Sequence, residues 1–293
     1  MKKTVSIIIA VIVILVLTLS FSSCSAEIFH QDQESLPVGT VFHAMNEDGV
    51  DITYKVMGDR QCQVGDGSYT AIDRETKGRI VIPRQVGDGY LVKRINDYAF
   101  SFCTNLTEIV IPEVREIGYS AFMDCKKLCG IEIPSTTELI DRDAFNGCSA
   151  LCSINLPSKM ETLDSFTFGL SGLTSISIPK GIKTIESSCF YCCPNLTSIE
   201  LREGLKSIGK TAFYSCPIES ITIPSSVIFI NKYAFLYTNL KILRILSDKP
   251  FDIHEKAFTS EFYENVMLIV PKGSKMANSY AKYWSDFKTI VEE

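Results

Sequence analysis

Three histidines and eleven cysteines are the residues of this chain whose types could do chemistry. Acid–base or nucleophilic catalysis needs titratable groups that converge. His30 lies in a polar stretch near the N-terminus, His43 in the strand-like segment after it, and His254 far along in the last repeat. Nothing in their spacing assembles a His-based triad. Cys189-Phe190-Tyr191-Cys192 has the Cys-x-x-Cys spacing of redox and zinc sites. The βαβ setting of the redox motif is missing, and no nearby His or second pair completes a zinc site. Gly65, Gly67, Gly87 and Gly89 read as turn glycines, not as a phosphate-binding loop. These residues predict no enzyme, no metal and no cofactor.

The cysteines belong to a repeat instead. A phrase of the form small-Phe-x-x-Cys recurs as Ala99-Phe100…Cys103, Ala121-Phe122…Cys125, Ala144-Phe145…Cys148, Thr167-Phe168, Cys189-Phe190…Cys193, Ala212-Phe213…Cys216, Ala234-Phe235 and Ala257-Phe258. Its Phe positions step by 22, 23, 23, 22, 23, 22 and 23 residues. A fixed period of this size means stacked coils of a solenoid. Cys103, Cys125, Cys148, Cys193 and Cys216 share one repeat position, so they are expected in a buried column, where a free thiol packs as a small apolar group. Neighbouring coils about 4.8 Å apart fall within the Cα range of a disulfide, but parallel Cβ vectors make the bond awkward. Mostly free thiols are expected. Cys129–Cys152, one coil apart, is the candidate bridge, and Cys62 has no obvious partner.

Ahead of each Phe stands an apolar-x-apolar group, often closed by Pro: Ile109-Val110-Ile111-Pro112, Ile131-Glu132-Ile133-Pro134, Ile154-Asn155-Leu156-Pro157, Ile176-Ser177-Ile178-Pro179 and Ile221-Thr222-Ile223-Pro224. Period two is the mark of a strand with one buried face. Pro stops it, having no N–H for a ladder. One strand per coil is therefore expected, stacked into a parallel sheet along one side. A further inward position precedes each Phe by five residues, as in Ile95, Ile117, Ile140, Leu163, Ile185, Ile208 and Ile230.

The ends read differently. Lys2 and Lys3 precede an uncharged run from Thr4 to Ser23, closed by Phe21-Ser22-Ser23-Cys24. A basic start, an apolar core and small residues before a cut describe a secretory signal, and the Cys after them resembles a bacterial lipobox. Residues 1–23 are expected to be a lipoprotein signal peptide and Cys24 the lipidated mature N-terminus, with an uncleaved anchor as the alternative. Residues 24–36 read as a flexible tether, 37–90 as an N-terminal β cap leading into the first coil, 91–260 as the repeats and 261–293 as a C-terminal cap. In that cap a helix is expected from Lys275 to Asp286, N-capped by Ser274, with Tyr280, Tyr283, Trp284 and Phe287 on its apolar face. Without Lys2 and Lys3 the chain carries 27 basic and 34 acidic residues, a net charge of −7. That argues against nucleic acid, which needs clustered Lys and Arg.

The pattern Leu-x-x-Ile-x-Ile-Pro…Ile-x-x-x-Ala-Phe-x-x-Cys, clear in Leu151 to Pro157 and in Ile140 to Cys148, resembles the BspA-like, or Treponema-type, leucine-rich repeat over about residues 80–271. The ending Val270-Pro271-Lys272-Gly273-Ser274 and the opening before Ile80 look like the caps of such proteins in Bacteroidales. The resemblance implies a curved leucine-rich repeat solenoid with a parallel β-sheet on one face and short turns elsewhere. It also implies a surface-exposed outer-membrane lipoprotein, and adhesion to host matrix proteins or other bacteria.

The residues alternating with the buried strand positions should point outward. They are Glu108, Glu132, Ser153, Asn155, Ser175, Ser177, Ser198, Glu200, Ser220, Thr222 and Arg244, a hydroxyl stripe flanked by acids. This face is the candidate site for a host matrix protein, a glycan or another bacterial surface molecule, on a monomer held to the membrane by its lipid. A solvated sheet face on a structural spacer is the competing reading. Tyr119, Tyr191, Tyr214, Tyr233 and Tyr237 lie near the Phe turns and offer a second contact edge.

Overall fold

A computed structural model of the chain describes residues 35–275, 277 and 281–293. The expected signal segment, Cys24 and His30 lie outside the described residues. Strands β1 (Val41–Met45), β2 (Asp51–Gly58) and β3 (Gln61–Val64) form an antiparallel N-terminal cap. Alternation turns Ile52, Tyr54 and Val56 inward, where they cover the first coil.

From there each repeat is one coil. The apolar-x-apolar groups supply β4 (Gly78–Val81), β7 (Leu106–Val110), β9 (Gly130–Ile131), β12 (Ser175–Ser177), β14 (Ser198–Glu200), β16 (Ser220–Ile223) and β18 (Ile242–Ile245), continued by β20 (Met267–Val270) and β21 (Thr289–Glu292). All pairings among them are parallel, and past a register shift between β4 and β7 the repeat positions face each other: Ile109 faces Ile131, Ile176 faces Ile199 and Ile221 faces Leu243. The expected sheet is therefore present, though in three groups: β4-β7-β9, β12-β14 and β16-β18-β20-β21.

The structure adds a second sheet that one strand per coil did not anticipate. Strand β6 (Tyr90–Ile95) is met antiparallel by β5 (Gln85–Val86) and parallel by β3 and β8 (Glu116–Ile117), and β10 (Leu139–Ile140) follows. A separate group holds β11 (Thr162–Leu163), β13 (Thr184–Ile185), β15 (Ser207–Ile208), β17 (Phe229–Ile230) and β19 (Asp252–Ile253). The inward Ile of these strands is the position five residues before Phe. Most are two residues long, too short to show an alternation.

A third coil-to-coil ladder runs through the Phe turns. The Phe100 N–H donates to the Ala121 carbonyl (2.7 Å), Phe122 to Ala144 (2.8 Å), Phe145 to Thr167 (2.8 Å), and so on to Phe213 and Ala234 (2.9 Å). From Phe100 to Phe213 the residues two before and two after each Phe also point their N–H groups at the next coil, as Tyr98 does to Tyr119 and Phe102 to Met123. To do so they take the left-handed conformation: Tyr98, Phe102, Ser120, Asp124, Phe166, Leu170 and their counterparts have φ between 50° and 61°. That region costs a non-glycine residue about 1–2 kcal/mol, and the ladder is what holds it. Only Gly147 meets the requirement with a glycine in these turns (φ 77°).

Inside the turns the eight Phe rings form one continuous stack from Phe100 to Phe258. Neighbouring centroids lie 5.2–5.9 Å apart and ring planes within 14° of parallel. The expected Cys column stands beside it, fully buried. The carbonyls of Phe100, Phe122, Phe145, Phe168, Phe213 and Phe235 accept the N–H three residues on, the Cys position of the coil, as Phe100 does from Cys103 (3.1 Å). The thiol of the next coil also donates to a Phe carbonyl: Cys125 to Phe100 (3.0 Å), Cys148 to Phe122 (3.1 Å), Cys193 to Phe168 (2.9 Å) and Cys216 to Phe190 (2.9 Å). A thiol is small enough to bury and still donates weakly.

Both sheets are interrupted at the same coil junction. Residues 154–156 form no strand, and β10 does not pair with β11. The Asn155 carboxamide explains the first break. It accepts from the Ile133 N–H (3.1 Å) and donates to the Ile133 carbonyl (2.9 Å), taking the place a backbone peptide would fill. A cleft of about 560 Å³ lies at the second, lined by Glu138, Leu139, Lys159, Glu161 and Thr162. The Phe145–Thr167 ladder bond bridges the junction.

The C-terminal cap departs from the expected helix. Residues 276 and 278–280 lie outside the described residues, and Lys275 and Ala277 are helical. A helix does not run on to Asp286: Tyr283 is left-handed (φ 67°), and Trp284–Asp286 is a short 3-10 turn. This break turns Trp284 into the core, where its indole N–H donates to the Phe251 carbonyl (2.7 Å). Ser274, the expected N-cap, is buried and donates to the Pro271 carbonyl. A helix that was not anticipated, α1 (Ser260–Asn265), follows Phe258, N-capped by Thr259 Oγ1, which accepts from the Phe262 N–H (3.1 Å). Phe262, Tyr263 and Phe287 close over Phe258 and end the ring stack.

Phe145 sits mid-stack between Phe122 (5.2 Å) and Phe168 (5.7 Å) and is fully buried. Phe145→Ala is predicted to cost about 3–5 kcal/mol, read as a lower denaturant midpoint in chemical unfolding. An unchanged midpoint would contradict the stack.

Candidate binding face

The face expected to bind is the outer side of the first sheet. Glu108, Glu132, Ser153, Asn155, Ser175, Ser177, Ser198, Glu200, Ser220 and Thr222 are all exposed there, while the Ile residues between them are turned toward the core. Arg244 is only half-exposed, because it pairs with Glu293 beside β21. Ser177 Oγ donates to Glu200 (2.6 Å), and Arg202 pairs with the same carboxylate (3.0 Å). The Ser177 hydroxyl, then Arg202, hold the Glu200 carboxyl below its usual range. Glu200 is thus an anion over the whole neutral range.

The structure gathers three of these residues around a hollow. Glu108, Glu132 and Asn155 border a depression of about 1070 Å³ with Val110 and Ile131 in its floor. Two features open it. Gly130 leaves the space where a Cβ would come within 3.0 Å of Glu108 Cγ, and residues 154–156 have left the sheet. Arg79 pairs with Glu108 (3.0 Å) and Arg84 with Glu113 (3.6 Å) along the rim. The rest of the stripe is flat, apart from a dip of about 230 Å³ between β14 and β16 that includes Ser198, Glu200, Ser220 and Thr222. Acids and hydroxyls with a small apolar floor suit a hydroxyl-rich or basic ligand. Sequence reasoning named the rim but missed the hollow. Its signal was Gly130, which replaces a side chain in the outward row.

The tyrosines named as a second edge are placed along the Phe turns. Tyr191 stacks on Tyr214 (4.8 Å), Tyr237 meets Tyr214 edge-on (5.2 Å), and Tyr119 meets Tyr98 (5.2 Å) under the Arg142 guanidinium (5.1 Å). Lys232 covers Tyr233 (4.6 Å).

The chemistry-bearing residues do not converge. His43 lies in the cap, 3.4 Å from Asp51, and His254 accepts the Lys256 N–H in the last coil. No cluster of three potential metal ligands occurs among the described residues. Cys189 and Cys193 are buried in the repeat core, and Cys192 occupies a left-handed turn position. All ten cysteines from Cys62 onward are free, including the candidate pair Cys129 and Cys152. Cys129 Sγ instead donates to the Thr107 carbonyl one coil back (3.4 Å). Burial pushes the Cys62 and Cys103 thiols up to about 12 and raises Cys125, Cys148 and Cys189 as well, so these five stay protonated.

With this geometry in view, comparison with known families decides the lineage of the fold. The model of the BspA type leucine rich repeat region matches residues 89–195 and 183–290. The chain belongs to the BspA-type leucine-rich repeat family. Among solved structures, a T. pallidum leucine-rich repeat protein is similar at 23% identity, over 72% of this chain and 86% of that one, with a TM-score of 0.50. A leucine-rich repeat protein from Bacteroides ovatus is 22% identical over 89% of this chain and 76% of its own, with a TM-score of 0.48. No curated protein matches significantly. The first of these likenesses agrees with the BspA-type solenoid in fold. No helix among the described residues is long and apolar enough to cross a membrane.

Two outcomes test this arrangement. Native-state alkylation with iodoacetamide, read by mass spectrometry, is predicted to modify Cys129 and Cys152 first, Cys192 more slowly, and the buried column only on unfolding. Asn155→Ala strips the buried Ile133 peptide groups of both partners and is predicted to lower stability by about 1–3 kcal/mol, measured by urea unfolding.

Proposed function

We propose that this BspA-type chain is an exported, non-enzymatic lipoprotein, held to the outer membrane through Cys24 and presenting its solenoid at the cell surface. Its exposed sheet face binds a host matrix protein, a glycan or another bacterial surface molecule. The observation that carries this reading is the outward row itself. Ten of its eleven residues stand clear of the core, and equivalent positions recur coil after coil. Repeated positions on a stiff stack suit a repetitive ligand, which gathers avidity from weak contacts. The hollow bordered by Glu108, Glu132 and Asn155 gives one end of the row a place for a side group.

A structural spacer is the second reading. It is favoured by the composition of the row, which has no Trp or Tyr, the residues that dominate tight protein interfaces along with Arg. Arg244, its one Arg, is engaged by Glu293.

An array of extracellular-matrix proteins and glycans, probed with the chain from Ser25 onward in folded form, separates the two. A saturable hit that falls about tenfold with Ser175→Glu plus Ser198→Glu supports the binding face. A hit indifferent to that pair, or none from folded protein, removes it.

A further inference from the structure

The N-terminal cap ends in an unprotected strand. β1 closes one side of its sheet, with β2 along one edge and no strand along the other. In an antiparallel pair alternate residues aim their backbone groups at the partner, and those between aim them away. The Val56 N–H donates to the Thr40 carbonyl (2.9 Å) and the Asn46 N–H to the Val50 carbonyl (3.0 Å). Phe42 and Ala44, in phase with these, therefore face β2. Val41, His43 and Met45 aim their N–H and C=O groups at the open edge, where no backbone donor or acceptor among the described residues meets them.

Soluble proteins blunt such an edge with Lys, Pro, a bulge or a covering element. The sequence of β1, Val-Phe-His-Ala-Met, holds no Lys or Pro, and it pairs with β2 without a register shift. Val41 is 46% and Met45 68% exposed. β21, the open strand of the last sheet, is different: it holds Glu292 and stands between Lys288 and Glu293.

We propose that two copies of this chain join through β1, paired antiparallel about a two-fold axis at His43. The outward groups are centred on His43, so the axis sets His43 against itself and each Val41 against the Met45 of the other copy. Every outward N–H and C=O then has a partner, and the apolar side chains meet in pairs on one face. The register of β1 on β2 places Lys55 beside Val41 and Asp51 beside Met45. Each outer row of the joined sheet therefore runs from a Lys to an Asp, and unlike charges flank the contact. A foreign strand would satisfy the backbone, but only a copy returns both side-chain pairs by symmetry. The contact lies on the cap and is independent of the sheet-face reading. The monomer expected from the sequence is then the dilute state.

Sedimentation equilibrium of the full-length chain in detergent, over a range of concentrations, reads the association. A reversible monomer–dimer equilibrium is expected. Met45→Lys places a charge on the exposed edge against Val41, and His43→Pro removes the central outward N–H, a loss that an open edge strand tolerates. Each should weaken dimerisation about tenfold or more, with the circular dichroism spectrum unchanged. Single cysteines read the register. Opposed His43 residues have Cα atoms about 5.5 Å apart, within disulfide reach. His43→Cys treated with glutathione disulfide should therefore give a peptide linked between position 43 of both copies, whereas Val41→Cys should not link to itself. A monomer at all concentrations, a dimer that Met45→Lys and His43→Pro leave unchanged, or self-linkage at Val41→Cys without linkage at His43→Cys overturns the proposal.

Discussion

Everything in this solenoid hangs on the hydrogen-bonded ladder of the Phe turns. Each turn forces two residues into the left-handed region and aims three N–H groups along the stack. That conformation is unfavourable for one coil alone and becomes worthwhile only when the next coil accepts the bonds. The stacked Phe rings add apolar burial at the same place, and the thiols fill the second lone pairs of the Phe carbonyls. Stability therefore sits between coils more than within them, as in other repeat arrays.

A spine on one edge frees the other two sides to vary. Both sheets break at the junction around Asn155, yet the Phe145–Thr167 bond holds the coils in register. The hollow on the first sheet depends on that freedom, since residues 154–156 can leave the sheet without unstacking the coil. The same logic governs the ends. The spine must be closed, at one side by the antiparallel cap and at the other by Phe262, Tyr263 and Phe287 over Phe258.

The repeat, the inward Phe, Cys and Ile positions and the outward stripe were legible because a 22–23-residue period repeats each environment several times. One coil's ambiguity is settled by its neighbours. The second sheet was not legible, since strands such as Leu139–Ile140 carry one inward residue and no alternation. Asn155 looked like any other outward residue; that its carboxamide replaces a peptide depends on the coil below it. At the C-terminus the aromatic cluster was visible and its geometry was not. The break at Tyr283 is a backbone conformation that aromatic spacing does not encode, while α1 had a readable start in Thr259 three residues before Phe262. The binding face was legible as a direction only. Which ligand it takes depends on chemistry outside the chain.

Amide hydrogen exchange at the broken junction tests the spine most directly. Phe145 and Gly147 donate across it to Thr167 and Gly169 at 2.8 Å, while the Glu161 and Asp164 N–H groups on the neighbouring sheet edge have no acceptor among the described residues. Slow exchange is expected at Phe145 and Gly147, matching Phe122 within the intact stack, and fast exchange at Glu161 and Asp164. Fast exchange at Phe145 and Gly147 with protection at Glu161 and Asp164 would contradict it, and would place the continuity of the solenoid in its sheets.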